Sequence, residues 1–190
     1  IGNRGIKNLK ILDVGCGGGI ICEPLARLGA KVTGIDFAPN NISAAKIHSK
    51  KNKLKINYIH KDVEKSKLDG KFDLILMFEV LEHLDDWKKT IKKIKKNLNK
   101  NGIIIISTIN RNSLSKLFAI SIAENILKWI PKGTHDYNKL IKPEELKKTL
   151  TQENLHFKNI KGLVFNPLNG EWKLSKNYMI NYFCTASLIN

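Results

Sequence analysis

Three groups of residues in this sequence have types and spacings that can do chemistry. The first is Asp13-Val14-Gly15-Cys16-Gly17-Gly18-Gly19, an apolar, acid-bearing segment that runs straight into glycines. Glycine turns tightly and, having no Cβ, lets the backbone approach a bound ligand. Asp36 closes the next apolar segment, about where a carboxylate can accept from both hydroxyls of a ribose. The second group is Glu79, Glu82 and His83, at i, i+3 and i+4. A helical turn beginning there would gather all three on one face. Two carboxylates and an imidazole make a hard, anionic pocket suited to a divalent cation, Mg²⁺ being the abundant candidate. The same residues at the head of a helix also serve capping, and Mg²⁺ prefers carboxylates to imidazole. The third group is His135-Asp136, in which the carboxylate can orient the imidazole or the pair can simply brace a loop. His83 and His135 are the two candidate general bases.

The glycine segment narrows the nucleotide. A dinucleotide fingerprint needs G-x-G-x-x-G, but counting from Gly15 puts Ile20 at the third glycine, and counting from Gly17 puts Cys22 there. An acid two residues before the first glycine suits a ligand with a cationic amino-acid head and no pyrophosphate. S-adenosylmethionine is such a ligand.

The elements that must position these residues follow an alternation of short apolar runs and longer helical ones, the pattern of a parallel sheet flanked by helices. Strands are expected over Lys10 to Val14, Lys31 to Ile35, Ile56 to Ile59, Phe72 to Met77 and Ile103 to Ser107, the last entered through an Asn101-Gly102 turn. Helices are expected over Ile20 to Leu28, Pro39 to Lys50 and Asp85 to Leu98, the last with lysines on its wet face. Ser113 to Ile130 reads as a long, mostly apolar helical stretch, and Lys142-Pro143-Glu144-Glu145 starts a further helix with Pro at its first position and acids at its positive end. Two strand-like segments close the chain, near Phe157 to Phe165 and Tyr178 to Ser187. The fold class is an open α/β sheet of about seven strands in one domain spanning residues 1–190.

Composition sets the remaining bounds. Lys and Arg number 33 against 17 Asp and Glu, a formal charge of +16. Thirty of those cations are Lys and only three are Arg, whereas readers of phosphate and base edges lean on Arg. There is no aromatic-interleaved basic stripe, so no nucleic-acid partner is expected. Three cysteines, Cys16, Cys22 and Cys184, have neither disulfide-framework nor zinc-site spacing and fit a reducing, cytoplasmic setting. The apolar run Ser113 to Ile130 also holds Lys116, Glu124 and Lys128; it is too short and too charged to span a bilayer. Its apolar circumference exceeds what docking on a sheet requires, which makes it either a buried helix or an interfacial element touching an anionic membrane surface. The chain opens at Ile1 and reaches its first strand within ten residues, so a preceding segment is expected to be missing. No feature sets an oligomeric state.

Further blocks extend the pattern. Leu12 to Gly19 resembles motif I of class I S-adenosylmethionine-dependent methyltransferases, with their Rossmann-like fold. Glu79-Val80-Leu81-Glu82-His83, Ser107-Thr108-Ile109-Asn110-Arg111-Asn112, Pro131-Lys132-Gly133-Thr134-His135-Asp136 and Gly162-Leu163-Val164-Phe165-Asn166-Pro167 follow in order. Together, over essentially the whole chain, they resemble the ubiquinone-biosynthesis O-methyltransferases. The resemblance implies methyl transfer from S-adenosylmethionine to a phenolic hydroxyl of a polyprenylated catechol. It also implies cofactor contacts at Gly15, Asp36 and Phe78, with Phe78 acting through its backbone where the family often has Met. It implies a divalent metal at Glu79, Glu82 and His83, and a helical insertion over the active site at 113–142. The alternatives are a methyltransferase for another small phenol or lipid, or a basic RNA-modifying one. Against the latter, the position after the fourth strand reads Met77-Phe78-Glu79-Val80 rather than an Asn/Asp-Pro-Pro-aromatic block.

Overall fold

The computed structural model describes residues 5–115, 136–166 and 170–189. Its elements are β1 (Lys10–Val14), α1 (Cys22–Arg27), β2 (Lys31–Asp36), α2 (Pro39–Lys51), β3 (Asn57–His60), β4 (Phe72–Phe78), α3 (Trp87–Ile94), β5 (Leu98–Ile109), α4 (Ser113–Ser115), α5 (Pro143–Gln152), β6 (Leu155–Asn166), β7 (Glu171–Ser175) and β8 (Asn181–Leu188). The eight strands take the order β3-β2-β1-β4-β5-β8-β6-β7. β1 runs parallel to β2 and β4, and β2 parallel to β3, whereas β6 is antiparallel to β7 and β8. This is the expected α/β class with one strand more. The chain forms two compact units, one running to Met77 and including Lys88–Ile104, the other Phe78–Trp87 with Ile105–Ile189.

In the first unit, β1 is buried from Ile11 to Val14, as a parallel strand covered on both faces must be, and it therefore reads as a near-continuous apolar run. Its neighbour β2 carries Gly34, where a Cβ would lie 2.9 Å from both the Cys16 sulfur and the Tyr58 ring. α3 buries Thr90, Ile91 and Ile94 and turns its lysines outward. Lys93 reaches back to donate to the carbonyls of Val63 and Glu64, at 2.9 and 3.1 Å.

In the second unit, α5 begins at Pro143, where a missing N–H leaves no donor unpaired. The Glu145 carboxylate turns back to accept from the Lys142 N–H at 3.1 Å. Leu146 and Leu150 are its buried face. Tyr182 is fully buried, and its hydroxyl donates to the Ile141 carbonyl at 3.0 Å. Cys184 lies beside it in the same strand, its thiol pushed up to about 12 by burial.

Several boundaries differ from expectation. The third helix ends at Ile94, and Leu98 already opens β5, which takes in the expected Asn101-Gly102 turn. A Cβ on Gly102 would lie 3.0 Å from the carbonyl oxygens of Asn99, three residues back, and of Phe72, so the glycine serves both a tight local bend and close backbone approach. β7 has no counterpart in the sequence reading. Its Trp172 and Leu174 are exposed and alternate with charged residues, so no apolar run marks the strand. Of the expected insertion at 113–142, only 113–115 and 136–142 lie within the described residues.

Candidate active site

At the carboxyl end of β1 the backbone turns at Gly15, φ +72°, and the N–H groups of Gly15 and Cys16 both donate to the Ile35 carbonyl. Gly17 and Gly19 also take positive φ, +53° and +87°. Asp36, the last residue of β2, is buried, and its carboxylate fastens the loop. Oδ2 accepts from the Gly17 N–H at 2.9 Å, while Oδ1 accepts from the Ala38 N–H at 2.8 Å and the Asn41 amide at 3.3 Å. A carboxylate offers about four lone-pair sites. Three are taken, so capacity remains for about one further donor, such as a ribose hydroxyl.

Gly18 is the informative glycine. Its φ is ordinary, and a Cβ there would meet no protein atom within 4 Å. The fold sets no steric demand for a glycine at this exposed position, and the space over it is open to solvent or to a ligand. Gly18→Ala is expected to leave stability within about 0.5 kcal/mol. The same change should raise the Kd for S-adenosylmethionine at least tenfold by calorimetry, and an unchanged Kd would remove the loop from the binding site.

Beneath the loop lies Asp13, 3 % exposed, which accepts from the Cys22 thiol at 3.2 Å. Burial pushes its carboxyl up to about 6, and the Asp36 charge adds to the effect. An acid whose folded pKa lies above its unfolded value holds more protons when folded, so its contribution to stability falls as pH rises through that window. Here the window runs from about 3.8 to about 6. In urea unfolding, Asp13→Asn should therefore gain stability relative to the parent between pH 4 and pH 7. Parallel pH curves for the two proteins would refute the assignment.

Sequence reasoning passed over Phe37. It follows Asp36 and is 73 % exposed, an aromatic ring that serves no core. Its carbonyl lies 2.8 Å from His60 Nε2, which ties the backbone down while leaving the ring open. The signal was available: an aromatic directly after the strand-ending acid. Asp62, two residues after β3, accepts from the N–H groups of Glu64 and Lys65 and caps a turn.

The second cluster lies in the other unit. The ring of Phe78 meets Phe183 edge to face, centroids 5.5 Å apart. Glu79 adopts φ +52°, a left-handed conformation that costs a non-glycine residue roughly 1 kcal/mol or more. Ser107 holds it there: the Glu79 N–H donates to the Ser107 carbonyl at 3.1 Å, and the Ser107 hydroxyl donates to Glu79 Oε1 at 2.7 Å. Glu82 is 3 % exposed, and neither carboxylate oxygen has a hydrogen-bond partner. Burial pushes this carboxyl up to about 8, with the Glu79 charge adding to it. The nearby Thr108 hydroxyl favours the ionised form, yet it too is buried without hydrogen-bonding geometry.

The expectation that Glu79, Glu82 and His83 gather on one helical face needs correction. Only Leu81–His83 is helical, a single 3₁₀ turn, and Glu79 precedes it in the left-handed region. Glu82 is buried while the adjacent His83 is exposed. Among the described residues no three His, Cys, Asp or Glu side chains stand together as metal ligands. Two carboxylates, one of them orphaned in the interior, do match the one or two that Mg²⁺ commonly takes from a protein. Of the other candidate base, His135 lies outside the described residues, while Asp136 accepts from the Asn138 N–H at 2.9 Å.

Asn110, Arg111 and Asn112 prove to be a clasp. The Asn110 amide donates to the Tyr178 carbonyl at 3.1 Å, and the Asn112 amide to the Met179 carbonyl at 2.6 Å. Arg111 pairs with Glu145 and donates to the Asn138 carbonyl. The sequence held no sign of these partners, which lie tens of residues away.

A family model described as Methyltransferase domain matches residues 2–159. Ubiquinone biosynthesis O-methyltransferase of Rickettsia typhi is 48% identical over 178 residues, 94% of this chain and 72% of that protein. The chain belongs to the ubiquinone-biosynthesis O-methyltransferase family. The enzyme of the same name from Pelagibacter ubique is also 48% identical, over 95% of this chain and 75% of its own. Solved structures match this family member at lower identity. The magnesium protoporphyrin IX methyltransferase of Synechocystis with bound SAH has a TM-score of 0.70 at 19% identity, over 97% of this chain and 75% of its own. An S-adenosylmethionine-dependent methyltransferase of Methanosarcina mazei reaches 0.72 at 21%, over 97% and 94%. These likenesses establish the class I Rossmann-like methyltransferase fold.

Proposed function

We propose that this O-methyltransferase moves the methyl of S-adenosylmethionine to a phenolic hydroxyl of a polyprenylated catechol in ubiquinone biosynthesis. The observation that carries the reading is the 48% identity to enzymes of that name across 94% of the chain. The open space over Gly18 beside the Asp36 carboxylate supports it. Gly15 and Asp36 take the cofactor's nucleoside, and Phe78 contributes through its backbone. Asp13, acidic and desolvated, complements the cationic amino-acid head.

A phenol with pKa about 10 is a weak nucleophile at neutral pH. A divalent cation, when bound, would lower that pKa by chelating adjacent oxygens. Glu79 and Glu82 would hold it, His83 being turned to solvent. Once the phenolate forms, the remaining task is alignment of a single in-line displacement, in which the oxygen–methyl bond forms as the sulfur–methyl bond breaks.

The test is transfer of labelled methyl to a short-tailed demethylubiquinol with and without EDTA. Transfer lost in EDTA and restored by Mg²⁺ supports both enzyme and metal. Transfer indifferent to EDTA keeps the enzyme and discards the metal. Cofactor binding without transfer overturns the substrate.

Reaching a polyprenyl substrate calls for peripheral contact between a cytoplasmic enzyme and an anionic membrane. Among the described residues no helix is long and apolar enough to cross one. The +16 formal charge supplies an attraction of the right sign. The apolar stretch Ser113 to Ile130, assigned to this contact, lies almost wholly outside the described residues. Flotation with acidic vesicles, with and without that stretch, decides the matter: equal flotation sinks it.

A further inference from the structure

The amino ends of β1, β2 and β3 border a groove of about 830 Å³. It lies at the far end of β1 from the glycine loop, about 16 Å away at some 3.3 Å per residue. Its floor is apolar, with Val32 and Phe72 among the buried residues. Four lysines line it: Lys10, Lys31, Lys53 and Lys55.

Two features set these lysines apart from an ordinary wet surface. Lys10 and Lys31 are register partners on adjacent parallel strands, so two ammonium groups start from backbone positions about 4.8 Å apart. Like charges so placed destabilise a sheet. Lys53 stands at φ +54°, where α2 ends in a Schellman turn: its own N–H donates to the Lys50 carbonyl and the Leu54 N–H to the Ser49 carbonyl. That position is normally glycine.

The described residues offset only part of the charge. No ion pair engages any of the four ammonium groups. Asp73 is near, its carboxylate accepting from the Lys10 N–H at 2.8 Å and the Asn99 amide at 2.5 Å, and it offsets one of the four charges. The carboxyl ends of α1 and α2 contribute roughly −0.5 charge each, well short of four cations. Lys7 adds a fifth, its side chain lying over Gly29 on the groove wall.

We propose that this groove binds a phosphorylated ligand with an apolar body, its phosphates bridging Lys10, Lys31, Lys53 and Lys55. The volume falls within the range of small-molecule sites. The site stands apart from methyl transfer and does not rest on that reading.

Calorimetry of the full chain with inorganic pyrophosphate and with ADP tests it, beside the variant K10Q/K31Q/K53Q/K55Q. Saturable binding is expected, weakened at least tenfold in the variant, with unchanged affinity for S-adenosylmethionine and a melting temperature no lower than the parent's. A second arm uses phosphatidylglycerol and phosphatidylcholine vesicles. Capture by the acidic vesicles alone, lost in the variant, without pyrophosphate binding, assigns the phosphate to a lipid headgroup. Binding that survives in the variant, or no binding to pyrophosphate, ADP or acidic vesicles, overturns the proposal. So does affinity for an RNA oligomer alone.

Discussion

Asp36→Ala is expected to weaken S-adenosylmethionine binding by about two to three orders of magnitude. Two causes add. Hydrogen bonds to a charged group contribute about 1.5–3 kcal/mol each, and a ribose bound as proposed would lose the one that the carboxylate has capacity left to accept. The second cause is local: Oδ2 holds the Gly17 N–H at 2.9 Å and Oδ1 the Ala38 N–H at 2.8 Å, so the loop and the start of α2 lose their common anchor. Calorimetry gives the Kd, and thermal unfolding separates the second cause from the first. Asp36→Glu keeps the charge but lengthens the arm, and should fall between parent and Ala. A Kd within threefold of the parent in the Ala variant would take Asp36 out of the site.

Gly19→Ala should be the most destabilising of the loop substitutions. A Cβ would sit 2.2 Å from the Tyr58 hydroxyl oxygen and 2.9 Å from the ring carbon bearing it, at φ +87° where an L side chain is already strained. Tyr58 is 4 % exposed and has no room to retreat, with Ala45 on the same side at 3.4 Å. Overpacking of this kind costs typically 1–3 kcal/mol, and the conformation adds about 1–2. For a chain of this length each kcal/mol lowers Tm by roughly 2–4 °C, so a drop on the order of 10 °C is expected. Tyr58→Phe removes the clashing oxygen and a buried hydroxyl without a partner. Combined with Gly19→Ala it should recover the larger part of the steric share, leaving the 2.9 Å approach to the ring carbon and the conformational cost. If the double variant melts no higher than Gly19→Ala, the steric account fails.

The glycine loop was legible because its code is short-range. A strand, a run of glycines and a helix follow within a score of residues, and the strand-ending acid comes one helix later. Binary pattern placed the parallel strands for the same reason. The acidic cluster was misread because an i, i+3, i+4 spacing presumes α-helical geometry. Glu79 instead sits in the left-handed region, held by Ser107 from a strand 28 residues on. No local pattern announces that constraint. The Asn110–Asn112 clasp was visible only as a marker of resemblance, since its carbonyl partners at Tyr178 and Met179 carry no side-chain signature. β7 escaped because its alternation, Glu171-Trp172-Lys173-Leu174-Ser175, is only five residues long and holds just two apolar positions, both exposed, too few to stand out as a strand.

The buried cysteines carry an experimental consequence. Cys16 and Cys22 lie under the glycine loop in one unit, and Cys184 lies in the core of the other. Burial places a barrier before each sulfur, and the hydrogen-bonded Cys22 thiol and the apolar surroundings of Cys184 hold both protonated. Alkylation at these positions therefore waits on local opening. Pulsed thiol labelling read by mass spectrometry thus clocks the breathing of each half independently, with no label engineered in, and ligand occupancy at the loop registers as a slower clock for Cys16 and Cys22 while that for Cys184 keeps its own time.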